Sequence, residues 1–296
     1  MALDYFVVDV FTDTPLKGNP LAVVFDTAGL STGQMQSIAR EFNLSETTFV
    51  QRRAAQTERA EGVRVRIFTT QEELNFAGHP TLGTASVLKM QAPETVVVNA
   101  INLALNVGPV PVRFSGPGLH GEMTQRDPEF GAELDRAAVA QLTGLAASDL
   151  EATLTPQVVS TGTAFAIVAL RSVEALSRLR VNQEAATPWL RERGARWFYV
   201  LAPDTTAASS QPAWRARMQF YGGEDPATGS AAGCAISYLV MHKAVQSSQQ
   251  IHVRQGVEMG RPSDLFLSAK NILAKVTDVR VGGSTVSVAT GHIFQP

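Results

Sequence analysis

The chain holds one cysteine, Cys234, in 296 residues. A single thiol excludes a disulfide framework and any cysteine-rich metal centre. Excess charge is also lacking: 25 Lys and Arg against 27 Asp and Glu leave a net charge of −2. With no basic patch, neither nucleic acid nor an anionic membrane is an expected partner. No apolar run approaches the length of a membrane span. The opening stretch MALDYFVVDVF reads as an acid-flanked strand rather than a secretory signal, so the sequon at Asn43–Leu44–Ser45 carries little weight. The five histidines (79, 120, 242, 252, 292) show no metal-ligand spacing. Gly116, Gly118 and Gly121 satisfy G-x-G-x-x-G, but Pro117 interrupts them and no helical pattern follows. Gly222 to Ser230 lacks the lysine of a phosphate loop. The expectation is a cytoplasmic enzyme with no metal and no cofactor.

Two similar stretches stand out instead. ELNFAGHPTLGTASVL (73–88) and YGGEDPATGSAAGCAI (221–236) each set a proton-active side chain before a proline, His79–Pro80 and Asp225–Pro226. Small residues then lead into a mostly apolar helix. A polar cap followed by proline at the first helical position is a helix-start signature, predicting His79 and Asp225 as caps. The N–H groups at such a helix mouth can hold a carboxylate. Two helix mouths, each with an acid/base group, would make an active site if they faced each other.

The similarity extends through both halves. Strands 5–11 and 19–25 have counterparts in 157–161 and 164–170. Ser31 and Gln34 fit a capping box ahead of a helical face of Met35, Ile38, Ala39 and Phe42. Helical stretches at 172–180 and 183–193 hold the same place in the second half. Strand 47–51 answers to 197–202, and the alternating VRVRIF (63–68) to WRARMQF (214–220). Ala22 and Ala166 lie 144 apart, Phe68 and Phe220 152 apart, Pro80 and Pro226 146 apart. The helices at 81–90 and 228–243 are small and apolar on nearly every face, as helices enclosed by strands should be. Two β-rich halves, each around one buried helix, follow; the plain alternative is one α+β domain without symmetry. The Gly/Pro-rich stretch 115–131 marks the boundary. The predicted division is 1–122, joined by the last strand at about 284–296, and 123–283. Residues 203–213 read as a flexible surface loop.

Each candidate residue has a bland reading beside the chemical one. His79 at a helix mouth is disfavoured as imidazolium; a lone histidine is more often structural. Asp225 is a preferred helix cap and could be only that. Glu224 reads as a solvated neighbour. Glu46 precedes the apolar run Thr47 to Val50, surroundings that would raise a carboxylate toward the range useful for proton transfer. Arg196 is expected at the matching place in the second half, so only one half carries this acid. Cys234, among Ala and Gly, reads as a core cysteine.

The stretches DVFTDTPLKGNPLAVVF (9–25), NLSETTFV (43–50), IFTTQEELNFAGHPTLGTA (67–85), EDPATGSAAG (224–233) and GVEMGRPS (256–263) together resemble the PhzF-like family, within the diaminopimelate epimerase fold. The resemblance covers essentially the whole chain. It implies an α+β protein of two pseudo-symmetric domains, each a barrel-like sheet around a central helix, with the active site between them. It also implies a homodimer, no cofactor and a small-molecule carboxylate substrate. Glu46 matches the family's main acid/base, and His79 and Asp225 its other catalytic polar groups. Ser45, Gly78, Thr228, Gly229 and Ser230 match substrate-binding positions. Related epimerases carry two catalytic cysteines where Gly78 and Gly229 stand, so a two-thiol mechanism is excluded here. The founding member isomerises trans-2,3-dihydro-3-hydroxyanthranilate by moving a proton between carbons. The implied activity is such an isomerisation, with an amino-acid epimerase or a non-catalytic carboxylate-binding protein as alternatives.

Overall fold

A computed structural model describes residues 2–207, 211–220 and 223–294. Tyr221 and Gly222, which open the second motif, and residues 208–210 of the expected surface loop lie outside the described residues. The chain divides into two compact units, Met1–Thr124 with Gly282–Pro296, and Gln125–Val281.

The first unit contains strands β1 (Ala2–Val10), β2 (Asn19–Val24), β3 (Glu46–Gln51), β4 (Val63–Phe68), β5 (Glu73–Leu74), β6 (Ala100–Leu105), β7 (Gly108–Phe114) and β8 (Gly121–Thr124). Its helices are α1 (Thr32–Phe42), α2 (Ala55–Glu61) and α3 (Gly78–Gln91). The second unit brings strands β9 (Glu129–Glu133), β10 (Gln157–Ser160), β11 (Ala164–Ala169), β12 (Trp197–Pro203), β13 (Ala213–Arg217), β14 (Gln219–Phe220), β15 (Gly223–Glu224), β16 (Ile251–Gln255), β17 (Ser263–Ile272) and β18 (Lys275–Gly283). Its helices are α4 (Arg136–Thr143), α5 (Val173–Ser177), α6 (Gln183–Glu192) and α7 (Gly229–Met241). The last strand, β19 (Thr285–Phe294), pairs antiparallel with β1 and so belongs to the first unit.

The ladders repeat. In the first unit β1–β2 is antiparallel, β2–β3 parallel, β3–β4 antiparallel, β4–β6 parallel and β6–β7 antiparallel. In the second, β10–β11, β11–β12, β12–β13, β13–β16 and β16–β17 follow the same five senses. The two halves are pseudo-symmetric.

In each unit one helix is enclosed by strands. Helix α3 packs against β1, β2, β3, β6, β7, β8 and β19, and α7 against β10, β11 and β17. From Gly78 to Leu88 every residue of α3 is buried. Its small polar side chains all find partners: the Thr81 hydroxyl donates to the Ala77 carbonyl (2.6 Å), Thr84 meets Thr48 (2.8 Å), and Ser86 donates to the Leu82 carbonyl (3.0 Å). Strand β2 reads as a continuous apolar run because both its faces are covered. Leu21 faces α3, while Val24 packs with Met35, Ile38 and Ala39 of α1. The capping box forms as expected, Ser31 and Gln34 exchanging hydrogen bonds across the first turn of α1. In the second unit α4, α5 and α6 cover the other side of the strands, burying Val139, Leu176 and Leu190 against Phe198 and Val200.

Several expectations need correction. Helix α3 starts at Gly78 with Ala77 as its cap, so His79 and Pro80 sit inside the first turn. Proline is tolerated there because first-turn amides have no intrahelical acceptor. Helix α7 starts at Gly229 with Thr228 as its cap; Asp225 and Pro226 lie in the turn before it. The stretch WRARMQF is two strands, broken at Met218, because the Met218 carbonyl turns to accept the Asp225 amide (3.0 Å). Of 172–180 only Val173–Ser177 is helical. Pro203 and Ala213, expected in a loop, end and begin strands, joined by an amide of Asp204 donating to the Ala213 carbonyl.

Gly83 faces β1 and β2 so closely that a methyl there would lie 2.7 Å from both Leu21 Cδ2 and Val10 Cγ2, each fully buried. Gly83→Ala gains about 1 kcal/mol of helix propensity but overpacks a filled core at about 1–3 kcal/mol. A net loss of roughly 1 kcal/mol is expected, read as a lower urea midpoint; an unchanged or higher midpoint contradicts the tight enclosure of α3.

Candidate active site

Glu46 opens β3, and the parallel ladder sets it opposite Leu21, next in sequence to Pro20. The αL turn at Asn43 (φ 50°) ends α1 and swings the chain into that strand through Leu44 and the exposed Ser45. His79 comes from the first turn of α3. The two side chains meet: His79 Nε2 lies 3.4 Å from Glu46 Oε2, with only 6% and 17% of the side chains exposed.

The state of the imidazole follows from its surroundings. Burial, with no water to solvate a cation, pushes His79 from its ordinary 6.5 down to about 3, and a hydrogen bond to the Pro20 backbone offsets this only in part. Proline has no N–H, so the ring donates and the Pro20 carbonyl accepts. Nε2 makes no hydrogen bond, which leaves Nδ1 as that donor. A neutral ring has one N–H; Nε2 therefore presents its lone pair toward Glu46.

The matching ladder in the second unit corrects the correspondence with Arg196. Val7 pairs Ala22 and Val158 pairs Ala166; Ala22 then sits opposite Thr47, and Ala166 opposite Phe198. Glu46 thus answers to Trp197, and the Arg196 guanidinium stacks over that ring at 4.2 Å. The second half has no acid at this position.

Around Asp225 the second unit builds a different arrangement. The Asp225 amide donates to the Met218 carbonyl (3.0 Å), and its Oδ2 accepts from the Thr228 hydroxyl (2.6 Å). Thr228, Gly229 and Ser230 form the start of α7, where first-turn amides lack intrahelical carbonyls. Gly78 holds the same first position in α3. Gly256, at φ +76°, lies under this turn; a side chain there would strike the backbones of Pro226 and Arg261.

Sequence reasoning missed the residues that hold these groups. Glu224 is not a solvated neighbour: both its oxygens accept from the buried Arg217 (2.8 and 2.6 Å), which also donates to the Leu176 and Ser177 carbonyls. Arg66 and Glu73 form the same fork in the first unit (2.8 and 2.6 Å). The seven-residue Arg–Glu spacing in both halves was the available signal. Gln125 donates to the Gly229 carbonyl (2.8 Å) and accepts from Thr161 (2.7 Å), and a methyl at Gly233 would displace its amide from that position. Cys234 is fully buried there and its thiol is pushed up to about 11 by burial, an inert core position. Among the described residues no group of three or more His, Cys, Asp or Glu is arranged to hold a metal, and no helix is long and apolar enough to cross a membrane.

Comparison with known proteins agrees with this architecture. The signature of the PhzC-PhzF family, described as phenazine biosynthesis-like protein, matches residues 8–291. The chain belongs to this family. A trans-2,3-dihydro-3-hydroxyanthranilate isomerase from Pseudomonas aeruginosa is 37% identical over 296 residues, covering 98% of this chain and 99% of that protein. The solved structure of a predicted epimerase from Pseudomonas aeruginosa is 32% identical, with TM-score 0.81 over 99% of this chain and 100% of the other. A PhzF-family phenazine biosynthesis protein from Bacillus anthracis shares the fold at TM-score 0.86 and 24% identity, covering 99% of each chain. The protein is a PhzF-like isomerase with the diaminopimelate epimerase-like fold.

The buried neutral histidine makes stability depend on pH. Its folded value of about 3 lies below the ordinary 6.5, so the unfolded chain takes up the proton first. The stabilisation is complete above that ordinary value and is lost as pH falls toward the folded one, about 1.4 kcal/mol per pH unit. Between pH 7 and pH 4 the wild type is expected to lose about 3 kcal/mol more than His79→Gln in urea unfolding. Parallel losses in the two proteins would refute the neutral, buried state.

Proposed function

We propose that the protein isomerises a small, unsaturated carboxylic acid by moving a proton between two of its carbons, with Glu46 as the acid/base that carries it. The observation behind this reading is Glu46 Oε2 set 3.4 Å from the unprotonated Nε2 of a buried, neutral His79. A lone pair on Nε2 gives the Glu46 carboxylate no support from that side and favours its protonated form there. On taking a proton from an activated carbon, Glu46 becomes an acid able to donate to Nε2. His79 thereby stabilises the proton-loaded intermediate without itself becoming charged. Glu46 then returns the proton to a second carbon. Removal and return use one residue and the substrate's own conjugation as electron sink, so the reaction is read as cofactor-independent.

Asp225, Thr228, Gly229, Ser230, Gly78 and Ser45 complete the proposed set. Open first-turn amides, such as those that start α3 and α7, suit a carboxylate, and Asp225 is read as a second acid/base group. The dihydro-hydroxyanthranilate that the Pseudomonas aeruginosa relative acts on is the proposed substrate class, a cyclic amino acid whose diene activates the carbon that loses its proton. The protein is read as a homodimer on the family resemblance.

Similarity to a predicted epimerase supports a second reading, in which the proton returns to the carbon it left. Incubation in D₂O with dihydro-hydroxyanthranilate and a panel of small amino acids separates the two by NMR. Rearrangement with deuterium at a new carbon is expected; deuterium only at the original stereocentre selects the epimerase. Glu46→Gln should keep the fold and lose at least about a thousandfold in turnover. Retained turnover in that variant would remove Glu46 from the mechanism.

A further inference from the structure

Gln255 ends β16 and is fully buried. Two main-chain groups fix which way its amide points. The Thr228 backbone N–H can only donate, so the atom 3.1 Å from it is Oε1. The Asp225 carbonyl can only accept, so the atom 2.8 Å from it is Nε2. The remaining bonds then have directions too. The Tyr199 hydroxyl donates to Oε1 (3.1 Å), and Nε2 donates to Thr228 Oγ1 (3.0 Å). A hydroxyl has one proton. Having accepted from Gln255, Thr228 must send that proton to Asp225 Oδ2, 2.6 Å away.

We propose that Gln255, backed by Tyr199, is a positioning residue for the isomerisation: it orients the Thr228 hydroxyl so that a donor is always aimed at Asp225 Oδ2, holding Asp225 in its ionised form. This rests on the reading of Asp225 as an acid/base group. A donor on a carboxylate favours the charged state, and a proton on Oδ2 would oppose the Thr228 O–H. Burial and then the Asp225 charge push the Tyr199 hydroxyl up, so Tyr199 stays a neutral donor. Glu224 on β15 is forked to Arg217 of β13, Glu258 is paired with Arg215 (2.9 Å), and the Cys234 thiol of α7 is pushed up by burial.

A role confined to closing the turn predicts something else, since Gln255 binds the two backbone groups whether or not Thr228 has a hydroxyl. The test is a ¹³C NMR titration of the Asp225 carboxyl, assigned with Asp225→Asn. Thr228→Val, of the same shape, and Gln255→Met should raise its midpoint by about one pH unit, while Thr228→Ser should leave it where the wild type has it. Equal midpoints in wild type and Thr228→Val overturn the proposal. Should Gln255→Met fail to fold, the wild type answers directly. A coupling across the hydrogen bond from the Thr228 hydroxyl proton to the Asp225 carboxyl carbon is expected, and a proton directed at Gln255 overturns the orientation. Asp225→Asn with full turnover would defeat the functional reading of Asp225 while leaving the titration result intact.

Discussion

A helix enclosed by strands has no wet side, and the rest of this molecule answers to that constraint. In α3 it selects small residues where strands approach, as at Gly83 against Leu21 and Val10. It requires each hydroxyl to find a partner inside the unit, as Thr84 does with Thr48. It also reaches the first turn, so His79 is buried, and the loss of solvation keeps its imidazole neutral. The setting of Glu46 follows from packing: a neutral ring, tethered through Nδ1 to the Pro20 carbonyl, turns a lone pair rather than a positive charge to the carboxyl beside it.

The second unit keeps the scaffold and changes the groups. Its ladders run in the same five senses, and its Arg217–Glu224 fork repeats Arg66–Glu73 in spacing and geometry. Arg217 is buried, and a buried guanidinium persists only where its donors are taken up; here they are, by Glu224 and two carbonyls. Such a brace fixes the backbone ahead of the Pro motif in each half. Where the first unit sets Glu46 against a histidine, the second has Trp197 under Arg196, and its acid sits instead in a turn closed by Gln255. The two units thus share the support and differ in the side chains set on it.

Much of the fold was legible in the chain. Strand positions followed from apolar runs and alternation, as VRVRIF shows with Val63, Val65 and Ile67 buried. The α1 capping box was readable because its two partners lie three residues apart. Both central helices were recognisable from small apolar residues on every face. Their starting points were not. Asp–Pro and His–Pro resemble cap and first residue, but Thr228 takes the cap of α7 because its amide is drawn to Gln255, 27 positions along the chain. Matching Glu46 to Arg196 rather than to Trp197 is a slip of one residue, which only the ladder register resolves.

By itself the sequence determined what depends on composition and local order: two similar halves, a helix at the heart of each, the candidate acids and bases, and the absence of a two-thiol mechanism. Tertiary structure alone decided which of those groups act on one another. Glu46 and His79 are 33 positions apart in the chain and 3.4 Å apart in space. The charge of the histidine, the direction of the Gln255 amide and the partner of Glu224 depend on what surrounds each atom. Burial and hydrogen-bond direction are properties of that enclosure, set by strands and turns distant in sequence, and no local pattern encodes them.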